Sequence, residues 1–425
     1  VSVEEQSNRT GLVPRKRQEN VWVVSELYYP EQSATGYFLT NIAEGLARVF
    51  PVRAIAAQPT YQSRGMKAPT EEVRNGVKIH RTFSTTFDKD VVLKRFLNLV
   101  TFSVSVFVRG LMEFSPRDIV IVVTNPPTLP YSVLLACKLR NVRCWLLVHD
   151  VYPDVLVAAG MIRKNGLVCR ILSWCNTLLY SGMNHIIVLG RDMKELVRGV
   201  KPSHEAKISI VHNWGDIERV MPDEKDNNVL LKELGIENKF VVQYSGNMGR
   251  THGLECIVEA AKALTKDSGI HFVFIGSGAK KAWLEEQVTD IALANVTVLP
   301  PQPRETLGMS LNACDIAVVT FMPGMAGVSV PSRMYNILAA GKPIIAVADS
   351  HSELALVVLE ERIGWLVPPG DSKGLIQAIR EASTHSSLLR EMGLRARKAA
   401  EAKYSKQQIM HSYHELVASM YGQEG

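Results

Sequence analysis

The residues of this 425-residue chain that could do chemistry fall in a few short segments. The most informative is Gly327-Val-Ser-Val-Pro-Ser-Arg-Met-Tyr-Asn-Ile-Leu-Ala-Ala-Gly-Lys-Pro343. Pro331 and Ser332 suit the first turn of a helix, with Ser332 as its cap, and Gly341 suits its end. The start of such a helix offers unpaired N–H groups and a positive dipole to a diphosphate. Arg333, expected one turn in, adds a forked cationic donor; the plainer alternative is a capped helix with a solvated arginine. Gly276-Ser-Gly278 lets a strand-to-helix turn run close to a nucleotide, although any tight turn uses glycines. Glu353 opens a further helix, where it either touches ribose or phosphate or simply complements the dipole of the first turn. His149 and Asp150 follow an apolar run. A lone histidine there is more often structural, but the adjacent aspartate at a cleft rim makes this pair the catalytic candidates. No His cluster has metal-ligand spacing, so no essential metal is expected. Arginines and a helix start supply positive charge instead.

These segments need strand ends to hold them. Apolar, β-branched runs at 21–25, 52–57, 77–80, 118–124, 144–149 and 185–189 alternate with helical patterns, which describes buried parallel strands with crossovers on both faces. The alternation restarts at 240–246 and continues at 271–278, 296–300, 315–320, 343–348 and 364–370. Leu254, Ile257, Val258, Ala261 and Leu264 follow the spacing of a core-facing helix. The fold class is therefore α/β, with two doubly wound parallel sheets and a cleft between them. The expected divisions are a polar tail at 1–20, a first domain at 21–215, a linker at 216–228 and a second domain at 229–404. A final helix occupies 405–421. Open parallel sheets bind ligands beyond the carboxyl ends of their strands, so two facing sheets bring two ligands together, as a transfer reaction requires.

Composition narrows the partners. A hydrophobic share of 46% with 21% charged residues is that of a folded globular chain. The net charge of +6 favours anionic partners, but no basic run is interleaved with aromatics, so no nucleic-acid partner is expected. Six cysteines without a C-x-x-C pair read as reduced, buried thiols of a cytoplasmic protein. The tail has no apolar core of a signal peptide, and its Asn8-Arg9-Thr10 sequon reads as chance. The apolar stretch Phe96 to Val108, interrupted by Asn98, Thr101, Ser103 and Ser105, is expected to be too short to span a bilayer. With Lys94, Arg95 and Arg109 beside it, the 91–113 region is either an amphipathic helix against a membrane surface or a buried domain helix.

The wording PSRMYNILAAGKPIIAVAD, placed before a strand of the second sheet, resembles the donor-binding helix of the retaining family 4 glycosyltransferases (glycosyl transferases group 1). Their fold is called GT-B. Within that family it is similar to bacterial enzymes of surface-polysaccharide and O-antigen assembly, of the fucosyl- or N-acetylfucosaminyl-transferase type. The resemblance runs from Val21 to Tyr421 and includes YYPEQSATGYFLTNIAEGLA, HDVYPD at 149–154 and HNWGD at 212–216. It implies a nucleotide-diphosphate sugar as donor substrate, no cofactor, and retention of configuration by same-face attack, the leaving diphosphate helping to take the acceptor's proton. By the same resemblance Gly36 lets the chain pass the donor phosphates, His149 contacts the donor sugar, and Pro301 and Gln302 lie beside the base. The final helix is similar to one that crosses back to the first domain.

Two departures matter. The family's two glutamates, separated by seven residues, fall on Val328 and Asn336. Asn336 can still bond a ribose diol; at Val328 either the backbone of Gly327 and Val328 takes over, or the sugar presents an apolar face, as a deoxy sugar would. The family's Gly-Arg-x-x-x-x-Lys-Gly loop reads Gly246-Asn-Met-Gly-Arg-Thr-His-Gly253, with Asn247 for the arginine and His252 for the lysine. Arg250, inside that loop, is expected to neutralise the diphosphate together with Arg333. A nucleotide-sugar epimerase on the same scaffold and a non-catalytic scaffold protein are the alternatives. A dinucleotide oxidoreductase is disfavoured because no G-x-G-x-x-G follows the first strand. The expected acceptor is a saccharide, lipid-linked or oligosaccharide, at the cytoplasmic membrane face.

Overall fold

Among the described residues, fourteen strands divide between two sheets. The structure is a computed structural model and describes residues 19–31, 33–59, 66–87, 92–200 and 202–422. Residues 1–18 of the tail, with the sequon, and residue 91 lie outside the described residues. The first sheet holds β1 (Val21–Val24), β2 (Val52–Ala56), β3 (Glu71–Arg74), β4 (Val77–Arg81), β5 (Ile119–Val123), β6 (Arg143–Val148), β7 (His185–Val188) and β8 (Ile208–Ile210). Their order is β3-β4-β2-β1-β5-β6-β7-β8. The second holds β9 (Phe240–Asn247), β10 (Ile270–Ser277), β11 (Val296–Leu299), β12 (Ile316–Thr320), β13 (Ile344–Val347) and β14 (Gly364–Val367), in the order β11-β10-β9-β12-β13-β14. Central strands such as β5 are buried at every residue, which is why they read as unbroken apolar runs.

Two strands escaped the sequence pattern. β3 pairs antiparallel with β4 at the sheet edge, where its EEVR sequence is exposed or half-buried; β8 is three residues long at the opposite edge. Neither has the continuous apolar run of a central strand.

The helices of the first domain are α1 (Ala34–Leu46), α2 (Val92–Glu113), α3 (Leu129–Arg140), α4 (Asp154–Ala158), α5 (Leu167–Gly182) and α6 (Arg191–Val200). Those of the second are α7 (Val229–Leu234), α8 (Leu254–Ala263), α9 (Lys281–Asp290), α10 (Leu307–Asn312), α11 (Arg333–Ala339), α12 (Glu353–Glu360), α13 (Ser372–Thr384) and α14 (Ser386–Ala402). The last helix, α15 (Lys406–Gly422), packs on the first domain: Tyr413 and Val417 enter its core and His414 Nε2 lies 2.9 Å from the Gly45 carbonyl oxygen. The 216–228 segment is not uniformly irregular, since it holds a short 3-10 turn, Lys225–Asn227, and ends on Asn228, whose side chain caps α7.

The expectation for Phe96 to Val108 needs correction. α2 runs through the four interrupting polar residues, and its Lys94–Glu113 portion is long and apolar enough, by length and composition alone, to cross a membrane. Three of the four do not break it because they bond sideways into the first domain. Asn98 bonds both backbone groups of Phe87, Thr101 receives the Thr85 amide, and Ser103 pairs with Thr128. α2 therefore lies along the domain, packed on α3, with most of its apolar window at the surface.

Candidate active site

The second-domain half of the site is built on strand ends. β9 and β12 flank the point where the strand order reverses, and β9 ends at Gly246 and Asn247. Gly276, at φ +149°, approaches β9 so closely that a Cβ there would lie 1.9 Å from the Gly246 carbonyl oxygen. A Cβ on Gly246 would in turn press on the Arg333 guanidinium at 3.0 Å, and one on Gly278 would meet the Met248 carbonyl oxygen at 2.6 Å. The glycine-rich segments 246–253 and 276–278 thus form one wall, and its glycines admit Arg333.

Arg333 is the first residue of α11 rather than one turn inside it. Its guanidinium folds back over β9: Nη2 donates to the Asn247 carbonyl oxygen at 3.3 Å and to His252 Nε2 at 2.7 Å, and the group lies 4.8 Å from the Tyr244 ring centroid. Nη1 is buried with no partner among the described residues, which leaves one guanidinium donor open. His252 is not the cation that its place in the loop suggests. Burial, reinforced by the Arg333 charge, holds its pKa well below the ordinary value, and its neutral ring accepts from Arg333 and stacks on Phe321. Arg250 is exposed on the same loop and makes no ion pair among the described residues.

The first-domain half comes from β6. The His149 and Asp150 amides both donate to Thr124 Oγ1, at 3.0 and 3.3 Å, which turns the chain at the strand end. His149 Nδ1 sits 3.5 Å from Thr35 Oγ1, and Nε2 is buried with no partner. Burial pushes the His149 pKa down to about 4, so the ring is neutral near pH 7. Burial raises the Asp150 carboxyl, and a hydrogen bond with Ser329 opposes that rise. Gly36 is buried in α1, where a Cβ would lie 2.8 Å from the Glu31 carbonyl oxygen; it lets the start of α1, which carries Thr35 to His149, pack against the preceding loop.

The segment joining the halves behaves differently from expectation. The Gly327 amide donates to Asp192 Oδ2 at 2.8 Å, the Val328 amide to the Met325 carbonyl, and the Val328 carbonyl accepts from Val151 at 2.9 Å. The Val328 side chain is buried in the second core and Val330 enters the first. Gly327 to Val330 is therefore an interdomain strap, and the amides of Gly327 and Val328 are not free to clamp a sugar. Ser332 occupies the cap position of α11, but its backbone is helical and its hydroxyl caps nothing. Asn336 Oδ1 accepts from the Asp216 amide at 2.9 Å, tying α11 to the linker. Gln302 bonds the Pro300 carbonyl through its side chain. Glu353 is 1% exposed and is held by Arg191, whose amide and Nε reach Oε2 at 2.7 and 3.0 Å; it locks the domains and has no oxygen left facing solvent.

Several site residues were missed. Arg191 and Asp192 open α6 just past β7, separated from it by Leu189 and Gly190, so position near a strand end could have flagged them. Thr35 adjoins Gly36, and Ser329 bridges to Asp150 across the cleft. Arg304 lies 3.6 Å over the Tyr37 ring, a contact with no sequence signal. Among the described residues no group of three or more His, Cys, Asp or Glu is placed to hold a metal, and the six cysteines are unpaired.

Residues 34–214 match the glycosyl transferase 4-like domain, and residues 226–399 match glycosyl transferases group 1. The probable glycosyltransferase WbjE of Pseudomonas aeruginosa is 31% identical over 369 residues, spanning 85% of this chain and 88% of that protein. The putative colanic acid biosynthesis glycosyl transferase WcaI of Escherichia coli K12 is 28% identical over 403 residues, spanning 91% and 96%. Among solved structures, Anabaena Alr3699/HepE in complex with UDP and glucose superposes with a TM-score of 0.71 at 14% identity, covering 95% of this chain and all of that one. That likeness concerns the fold, and the fold is GT-B.

Proposed function

Because the chain belongs to the group 1 glycosyl transferases, we propose that it moves a sugar from a nucleotide-diphosphate donor to a saccharide acceptor in bacterial surface-polysaccharide biosynthesis. The observation that carries this reading is the pair of unpartnered buried groups at the junction of the two sheets. Arg333 Nη1 lies on the second domain and His149 Nε2 on the first. Asp150, next to His149, bridges to Ser329, four residues before Arg333. A diphosphate beside Gly246 would take the open Arg333 donor, which neutralises the leaving group. The sugar then lies toward His149, whose neutral ring accepts from a sugar hydroxyl or lends electron density to a developing positive ring.

No pair of carboxylates is needed in this scheme, and configuration is retained by attack on the face the diphosphate leaves, with a diphosphate oxygen taking the acceptor's proton. Arg250, on the exposed rim of the loop, completes phosphate binding when the donor enters. With Gly327 and Val328 engaged in the strap and no acid at Val328, that segment offers no carboxylate to a sugar hydroxyl, and the donor is a deoxy or N-acetylated hexose rather than a hydroxyl-rich one. The acceptor is a lipid-linked saccharide at the cytoplasmic face of the membrane, with α2 toward the bilayer. The metal-free reaction expected from the motifs belongs to the same proposal. The test is a panel of nucleotide sugars assayed for acceptor-dependent release of nucleotide diphosphate, with the anomeric configuration of the product read by NMR. Release without acceptor, or an inverted product, would sink this reading.

A further inference from the structure

On the surface of the first domain, three neighbouring helices turn apolar stripes outward. α3 lies between α2 and α5: a Cβ on Gly110 of α2 would meet Ala136, and one on Gly182 of α5 would meet Leu134 and Lys138. α5 buries Cys169, Asn176, Leu179 and Tyr180 inward, yet Leu167, Ile171, Trp174 and Leu178 follow helical spacing on its outer side. Leu167 is 73% exposed and Trp174 63%. Leu135 and Leu139 continue the stripe on α3, and Val104 and Val108 continue it on α2. An apolar face this broad on a soluble-sized domain marks a contact surface.

Charge identifies what covers it. Between Val155 and Gly182 the chain has no acidic residue, while Arg163, Lys164 and Arg170 are all exposed. α3 carries Lys138 and Arg140 and no acid, and α2 begins with Lys94 and Arg95 and has only Glu113, at its far end. Cations set beside outward apolar side chains are the complement of an anionic lipid surface, into which the apolar groups insert while the cations meet the headgroups. A second protein chain would have no such need for one sign of charge.

We propose that α2, α3 and α5 form one platform that lies on an anionic phospholipid bilayer, with α5 as its principal insertion helix; this rests on the reading of a lipid-linked acceptor. The platform is coupled to the candidate active site. Asn176 of α5 donates to the Tyr152 carbonyl, two residues beyond Asp150, and its Oδ1 accepts from Tyr131 of α3 at 3.3 Å. Met161, Arg163 and Lys164 are exposed on the short loop that joins α4, which begins four residues after Asp150, to α5. A docked bilayer thus lies beside the His149 segment, and a lipid-held acceptor reaches the cleft from the headgroup layer.

The experiment is flotation of the full chain with phosphatidylglycerol-containing vesicles and with pure phosphatidylcholine vesicles, without donor. Wild type is expected to float with the anionic vesicles and about tenfold less with the neutral ones. An Ile171→Glu/Trp174→Glu variant should lose at least about tenfold in vesicle binding. Its thermal unfolding and its turnover of donor with a water-soluble acceptor should be unchanged, since both side chains face solvent. Failure of wild type to bind anionic vesicles, or equal binding by the variant, overturns the platform. So does sedimentation showing a dimer that the variant dissolves, because the face is then a contact between two copies. If vesicles bind as expected but no lipid-linked saccharide is glycosylated, the acceptor assignment fails while the platform stands.

Discussion

Arg333 donates to Nε2 of His252 at 2.7 Å, and this bond decides which of the two carries the charge. The guanidinium cannot lose its proton, so the imidazole must accept, and burial together with Arg333 keeps it neutral. His252 is thus a positioning residue that holds Arg333 with one nitrogen open. Arg333→Ala is expected to lower kcat/KM for the nucleotide-sugar donor by about 10²–10³, the usual loss for one aimed donor. His252→Gln, which keeps an acceptor, should lose much less than His252→Ala. Donor-saturation kinetics measure both, and an Arg333→Ala enzyme indistinguishable from wild type would remove Arg333 from the site.

His149 sets a pH signature. Its folded pKa is about 4 against an ordinary 6.5, because burial penalises the charged ring. Between those values the unfolded chain binds more protons than the folded one, so stability is full above about 6.5 and is lost as pH falls toward 4. The share due to His149 between pH 7 and pH 5 is about 2 kcal/mol. His149→Asn, which does not titrate, should flatten the dependence of unfolding free energy on pH by that amount in urea titrations. His185, lowered likewise to about 4, keeps some slope in the variant.

What the sequence made legible follows from which forces leave local traces. Central strands are buried on both sides and must be apolar throughout, so β5 and β13 stood out, whereas β3 at an exposed edge did not. Glycines at strand ends were found because only glycine fits where Gly276 meets β9. Whether a group is free or already engaged has no local trace. Val328 is a valine in a donor-binding motif by its neighbours, and an interdomain strap by Val151 and Asp192, residues more than a hundred positions away. Glu353 is similar: the partner that spends its carboxylate lies on the other sheet.

The Arg191–Glu353 lock should be asymmetric. Glu353 is almost wholly buried, while 39% of the Arg191 side chain is exposed. Removing the arginine leaves a buried carboxylate with no Lys or Arg partner among the described residues. Removing the glutamate leaves an arginine that water and Glu360 still reach. Arg191→Ala is therefore expected to cost about 3 kcal/mol and Glu353→Gln distinctly less. Thermal unfolding of the two variants in parallel checks the order, and the reverse order would show that the lock is not buried as described.

Restoring acids at the two departed positions separates the strap from a sugar clamp. If Val328 faced the donor sugar, Val328→Glu would recover a hydroxyl contact and improve turnover of hydroxyl-rich hexose donors. The structure gives the opposite expectation, because the side chain is 3% exposed and packs in the second core beside Met325. A carboxylate buried in that apolar cluster loses its hydration, so Val328→Glu should destabilise the fold by about 3 kcal/mol and lower activity with every donor. Asn336 is half-buried and uses only its oxygen, toward the Asp216 amide, a bond that a glutamate can also accept. Asn336→Glu should cost less than about 1 kcal/mol and show its effect in donor KM. A Val328→Glu protein as stable as wild type, with turnover gained on a hydroxyl-rich donor, would return Gly327 and Val328 to the sugar site.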